Sequence, residues 1–218
     1  MAQSPLLIRT KADVTRGVTA LCKTCPVMRA ARERGGPPPL RLNPGGLPGL
    51  LRIVIGQQVS VASAAAIWQR FEKVAGPLEA GLLLRRREST LRKGGLSGPK
   101  LKTVRAVSKA VVDGTIDFDA YSEMPADEVR DALTAVHGIG PWTADIYIMF
   151  CLGRADGWAP GDLALQIELP ALLGAAERMS AQELIAYAER WRPWRSVAAR
   201  LLWASYQARR GVSDAIPA

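Results

Sequence analysis

The 218-residue sequence has one histidine, three cysteines and no run of some 18 apolar residues. Without such a run there is no candidate transmembrane helix, and the apolar stretch in the N-terminal MAQSPLLIRT is too short for a secretory leader. A soluble, cytoplasmic protein is the expectation. An odd, small number of cysteines argues against a disulfide framework and for a reducing compartment. Cys22-x-x-Cys25 has half the spacing of a zinc or redox site, but only Cys151 and His137, far along the chain, could complete four ligands. Buried small side chains are the alternative. Period-two alternation of polar and apolar residues is scarce, whereas spacings of three and four recur, so the chain reads as all-α. There is no internal repeat and no low-complexity tract.

What is present is apolar mass and positive charge. With 48% hydrophobic and 22% charged residues, the composition excludes a mainly disordered chain, and the length fits one compact unit or two small interleaved ones. Lys and Arg total 29 against 20 Asp and Glu, a net charge of +9. Such an excess suits a polyanion bound through counterion release, although charge alone leaves a basic fold with no nucleic-acid partner equally open.

The Pro/Gly-rich stretch 35–49, GGPPPLRLNPGGLPG, reads as a crossover between a short N-terminal helical segment and the main body. Leu50, Ile53 and Val54 then begin a helix, Gly56-Gln57-Gln58-Val59 interrupts it, and Ser60 caps the next, which carries Ala64, Trp68 and Phe71 inward. Residues 85–109 hold a basic series (Arg85, Arg86, Arg87, Arg92, Lys93, Lys100, Lys102, Arg105, Lys109) broken by Gly94-Gly95 and Gly98-Pro99. A solvated surface and phosphate contact are both open readings of that series. Ser180-Ala-Gln-Glu183 has the capping-box pattern, and Pro193 precedes a last helix with Trp194, Val197, Leu201 and Ala204 on one face.

Two features bear on chemistry. A helix carrying Val129, Leu133 and Val136 stops at His137-Gly138-Ile139-Gly140, and Pro141 opens another. Such a hairpin lets the backbone approach a ligand closely and aims helix amides at an anion, a means of holding nucleic-acid phosphate without reading sequence. Gly-x-Gly turns also end ordinary helices. Asp162 follows the Arg154–Gly161 loop, where an aspartate commonly caps a helix and does nothing else.

The segment Val136-His-Gly-Ile-Gly-Pro-Trp-Thr-Ala144, followed by the Gly/Pro loop and Asp162, resembles the signature of the helix-hairpin-helix (HhH-GPD) DNA glycosylase superfamily. Ile55-Gly-Gln-Gln-Val-Ser-Val-Ala62 and Tyr187-Ala-Glu-Arg-Trp-Arg-Pro-Trp-Arg-Ser196 are similar to the AlkA-type 3-methyladenine DNA glycosylases, and the resemblance runs over about residues 45–210. It implies a two-lobed, all-α fold with the active-site cleft between the lobes. Segment 1–48 would pack with the C-terminal lobe, 49–161 would form the central lobe with the hairpin, and 162–218 would complete the second lobe. It also implies a monofunctional glycosylase that hydrolyses the N-glycosidic bond of alkylated bases, chiefly 3-methyladenine, in base excision repair. The partner would be double-stranded DNA containing such bases, bound by a monomer, in the cytoplasm or at a nucleoid.

By the same resemblance Asp162 is the catalytic carboxylate. It would stabilise positive charge developing on the sugar and help to position or deprotonate the attacking water. Trp142 and Trp203 match positions lining the base pocket, with Trp158 a further candidate; aromatic faces suit cationic alkylated bases. Gln58, beside Gln57, stands where these proteins insert a side chain into the gap left by the flipped base. Gly138, Gly140, Thr143, Gly98 and Lys100 would contact the DNA backbone. The carbonyls of Thr134, Val136 and Ile139 would hold a sodium or potassium ion. No organic cofactor is implied.

The sequence also departs from the family pattern. Bifunctional members carry a lysine where Trp142 stands, so no lyase step is implied, and with no cysteine after Cys151 no iron–sulfur cluster is expected. The plug is an amide where the familiar bacterial enzyme has an apolar wedge. The segment before Leu50 is too short for that enzyme's additional mixed α/β domain, so the pocket contacts supplied by that domain would be absent or replaced. The competing readings are a non-enzymatic hairpin DNA-binding module and a glycosylase for another lesion class.

Overall fold

Capping chemistry sets most of the helix boundaries. The computed structural model describes residues 5–211. They divide into two compact units, one of residues 5–42 with 153–211 and one of Asn43–Leu152. Among the described residues the only β-structure is an isolated bridge, Leu7 to Arg154.

The first unit contains α1 (Lys11–Thr24), α2 (Pro26–Gly35), α10 (Leu163–Leu172), α11 (Ala181–Ala188) and α12 (Arg195–Arg210). Capping boxes open α1, from Thr10 and Asp13, and α11, from Ser180 and Glu183. The apolar stripe of α12 buries Val197, Leu201, Leu202 and Trp203 at zero exposure. Helix α2 lies against α12 closely enough that a Cβ on Gly35 would strike the backbone at Ala204 and Ser205. Only glycine permits that approach.

One buried carboxylate joins three of these helices. Glu168 in α10 has zero exposure and accepts from Arg34 Nη1 of α2 at 3.0 Å, and from Ser205 Oγ at 2.6 Å and Arg209 Nε at 2.8 Å, both on α12. A buried charge costs several kcal/mol unless it is paired and hydrogen-bonded, and here three donors meet it. Arg200, also buried, donates to the Ser196 carbonyl and hydroxyl and to the Leu40 carbonyl, and burial pushes its pKa down to about 9. The loop after residue 153 is fastened to the start of α12 by Asp156, which accepts from Arg195 and Arg192.

The second unit contains α3 (Gly46–Gly56), α4 (Val61–Ala75), α5 (Ala80–Arg85), α6 (Glu88–Arg92), α7 (Gly98–Val112), α8 (Ala126–Thr134) and α9 (Pro141–Phe150). Helix α3 begins four residues before Leu50, inside the stretch expected to be crossover. Pro48 is tolerated there because first-turn amides have no intrahelical partner to lose. Ser60 caps α4 by accepting from Ser63 N at 3.2 Å. In α9 every residue from Thr143 to Phe150 is buried, the pattern of a central helix apolar on all sides. Its one charge, Asp145, accepts from Arg130 of α8 at 2.7 Å.

Three cations of the basic series 85–109 are turned onto carbonyls of the protein itself. Arg86 donates to the Ala75 carbonyl at the end of α4, Arg105 to the Leu84 and Arg86 carbonyls at the end of α5, and Lys100 to the Ile55 and Gln57 carbonyls at the end of α3. Each cation meets the negative pole of a helix. Arg92 and Lys109 pair with Glu88 and Asp113. Arg85, Arg87, Lys93 and Lys102 are exposed.

Removing the Glu168 carboxylate leaves two arginines and a serine facing an apolar space. Glu168→Ala is expected to cost about 2–3 kcal/mol in urea unfolding, below the usual figure for a broken buried pair because Arg34 and Arg209 keep about a third of their side-chain surface in water.

Candidate active site and nucleic-acid interface

The hairpin forms where the sequence places it. Helix α8 ends at Thr134, the Ile139 N–H closes a turn onto the Val136 carbonyl at 3.0 Å, and α9 starts at Pro141. Gly138 has φ +85, in the left-handed region, and a Cβ there would overlap the Thr103 side chain of α7. Glycine is therefore required twice, by backbone conformation and by packing. Gly140, the N-cap of α9, contributes no capping side chain, and a Cβ at that position would meet open space. The N-terminus of α7 is alike: Ser97 makes no side-chain cap bond, and Gly98 faces open space. The starts of α7 and α9 thus carry no side-chain cap bond, which leaves first-turn amides to the backbone or a ligand, and helix N-termini of this kind receive phosphate oxygens.

The junction between α3 and α4 is held from two sides. Gln57 Nε2 donates to Thr143 Oγ1, in the first turn of α9, at 2.7 Å. Its carbonyl accepts from Lys100 Nζ at 2.9 Å. Thr143 is buried, so its hydroxyl organises the junction, and Lys100 places its ammonium on two carbonyls. Partial burial lowers the Lys100 pKa from its usual value. Directly after the anchored Gln57, Gln58 is exposed with φ +56, a left-handed conformation that costs a residue with a Cβ about 1–2 kcal/mol. Strain of this kind concentrates at functional sites, and here it turns an amide side chain outward beside the exposed Val59.

In the other unit Asp162 caps α10. Its Oδ1 accepts from Ala164 N at 3.0 Å, Leu165 N at 3.2 Å and Trp203 Nε1 at 2.9 Å, and the residue is 8% exposed. Trp203 has zero exposure. Trp158 is 3% exposed and meets Trp191 edge to face at 5.6 Å, with no hydrogen-bond partner for its Nε1 among the described residues. Of the three tryptophans read from the sequence, Trp142 alone is half-exposed, in the first turn of α9.

Thr134, Val136 and Ile139 place their carbonyls at the end of α8 and in the turn, while the Thr134 hydroxyl donates to the Arg130 and Asp131 carbonyls. Among the described residues no cluster of three His, Cys, Asp or Glu side chains could hold a metal. The three thiols are unpaired; Cys25 accepts from Trp191 Nε1, and burial pushes the Cys151 thiol up to about 12. No helix of the described residues is long and apolar enough to cross a membrane. The contributions missed in the sequence are the Gln57–Thr143 bond, the inward turn of Lys100 and the edge-on use of Trp203. Residue type signals that each can hydrogen-bond, but nothing in the pattern gives the partner.

Comparison with known proteins places this geometry. Residues 51–194 match the family described as HhH-GPD superfamily base excision DNA repair protein. A Mycobacterium tuberculosis protein named "Probable bifunctional transcriptional activator/DNA repair enzyme AlkA" is 34% identical over 116 residues, covering 52% of this chain and 22% of that one. This chain therefore spans about a fifth of that relative's length. The crystal structure of a Bacillus halodurans DNA-3-methyladenine glycosidase is 30% identical with a TM-score of 0.74, over 89% of this chain and 88% of that one. A Schizosaccharomyces pombe 3-methyladenine DNA glycosylase in complex with abasic DNA shares the fold, with a TM-score of 0.76 at 20% identity over 88% of this chain and 95% of that one. The hairpin, the loop and the aspartate that follows it all fall within the matched region, and the chain belongs to the HhH-GPD superfamily of base excision DNA repair proteins, in its AlkA-type branch.

Proposed function

We propose that the protein is a monofunctional DNA glycosylase that removes alkylated bases, 3-methyladenine foremost, from double-stranded DNA. The observation that carries this reading is Asp162, a nearly buried carboxylate held at a helix N-terminus downstream of a hairpin suited to phosphate. A base in the stack shields its glycosidic bond, so the target nucleotide must be extruded at a cost of a few kcal/mol. Gln58, next to the anchored Gln57, would fill the gap and hydrogen-bond the orphaned base. Trp142, half-exposed in the first turn of α9, would offer an aromatic face to the cationic lesion, with Trp158 and Trp203 the further aromatic candidates for the pocket. Methylation makes the base a good leaving group; as the C1′–N bond breaks, Asp162 would offset the positive charge on the sugar and orient the water that attacks C1′. Gly138, Gly140 and Gly98 would admit phosphates to backbone amides, with Thr143 and Lys100 shaping that surface.

At the hairpin, Thr134, Val136 and Ile139 would hold a sodium or potassium ion. The carbonyls at a helix C-terminus are its negative pole, and oxygen donors suit a hard cation. The Ile139 N–H occupies one lone pair of the Val136 oxygen, and a carbonyl has two. When bound, the ion would add positive charge toward a phosphate. The domain roles of 1–48, 49–161 and 162–218, a monomeric state and a cytoplasmic or nucleoid location belong to the same reading.

Asp162→Asn keeps an acceptor for the cap and loses the charge. It is expected to melt within a few degrees of wild type while release of methylated base from alkylated duplex falls at least about 100-fold, the scale of losing one electrostatic stabiliser. Comparable release by both proteins would remove Asp162 from its role, and no release by wild type on a lesion panel would favour a binding module. Borohydride should trap no covalent DNA adduct, because Trp142 supplies no amine. Binding should weaken steeply with salt, and Lys93→Ala or Lys102→Ala is expected to reduce the slope of log affinity against log salt by about one where the lysine meets a phosphate. Lys100→Met, by contrast, is expected to change stability more than that slope.

A further inference from the structure

Capping α10 requires only an acceptor for amides in the first turn, and Ala164 N and Leu165 N meet that requirement. The third donor to Asp162 Oδ1 is the indole N–H of Trp203, from the middle of α12, at 2.9 Å. Burial alone does not force such a pairing, since Trp158 is buried with its indole N–H on no acceptor among the described residues. The pairing is also braced. Glu168, six residues along α10 from the cap, accepts from Ser205 Oγ, two residues past Trp203 on α12, so donor and acceptor sit on helices tied together nearby. The torsion that turns a carboxylate about its Cβ–Cγ bond is broad and two-fold, so its setting depends on the donors around it. A third donor, from another helix, narrows it.

We propose that Trp203 is a positioning residue for Asp162: its N–H sets the rotation of the carboxylate before DNA arrives, and its edge, not its face, is the functional part. With no ring surface exposed, the face is committed to the core. The inference rests on the reading of Asp162 as the reacting carboxylate. Misorientation of such a group is the kind of error that costs about 100-fold in rate without loss of binding.

Two variants separate edge from face. Site-specific replacement of Trp203 by β-(3-benzothienyl)alanine keeps the bicyclic ring and puts sulfur in place of the N–H, and Trp203→Phe is the simpler companion. For the isostere, single-turnover release of methylated base at saturating enzyme is expected to fall 10- to 100-fold. Affinity for duplex containing a tetrahydrofuran abasic analogue should stay within twofold, measured below the melting onset of each protein. An unchanged rate with the isostere would overturn the proposal, and so would a loss confined to affinity. A readout independent of activity is the indole N–H spectrum of 15N-labelled protein, with the Trp203 resonance assigned through Trp203→Phe. Asp162→Asn should move that resonance more than those of the other indoles, and a Trp203 signal indifferent to Asp162→Asn would also overturn the proposal. Failure of the underlying reading looks different: Asp162→Asn would then release base at the wild-type rate while the Trp203 resonance still shifted.

Discussion

Three hydrogen bonds converge on Asp162 Oδ1, and the start of α10 depends on them. Two satisfy the first amides of α10, and the third reaches α12, so the carboxylate that starts one helix is fixed by another. Its neighbour along α10, Glu168, repeats the device deeper in the unit with arginine and serine donors. An α10 without these bonds would have an uncapped start and a loosely oriented acid. The contacts that cap α10 thus also hold the carboxylate, and an asparagine there would keep a cap acceptor while removing the charge.

In the second unit the corresponding constraint is the end of α3. Lys100 from α7 and Thr143 from α9 hold the backbone and side chain of Gln57, which leaves Gln58 in a left-handed turn. Hairpin and junction are thus one assembly. The Gly138 contact with Thr103 adds α7 to it from the other side. Helix starts without capping side chains lie within this assembly at Gly98 and Gly140, where a polyanion would find amides.

Much of this was legible in the sequence, for reasons that are local. Ser60, Asp162 and the Ser180–Glu183 box are caps because capping depends on residues three apart, and the hairpin was readable because glycine and proline punctuate the backbone directly. The start of α3 was not, because Pro48 and Gly49 read as breakers until packing places them in a first turn. The basic series was legible only as charge. Composition counts Arg86, Lys100 and Arg105 as surface charge, whereas their direction onto helix ends depends on which helices meet. Trp203 was legible as an aromatic at a family position and illegible as a donor, since a sequence gives no orientation for an indole.

The left-handed backbone at Gln58 has a consequence for which side chains the junction can display. Glycine adopts that conformation freely, and asparagine or an unbranched chain adopts it at modest cost. Valine, isoleucine and threonine are all but shut out by the clash of a branched Cβ. Variation at this position is filtered by main-chain geometry before any nucleic acid is met. An unbranched glutamine passes that filter and still reaches outward, so main-chain shape limits what this junction can present before side-chain chemistry does.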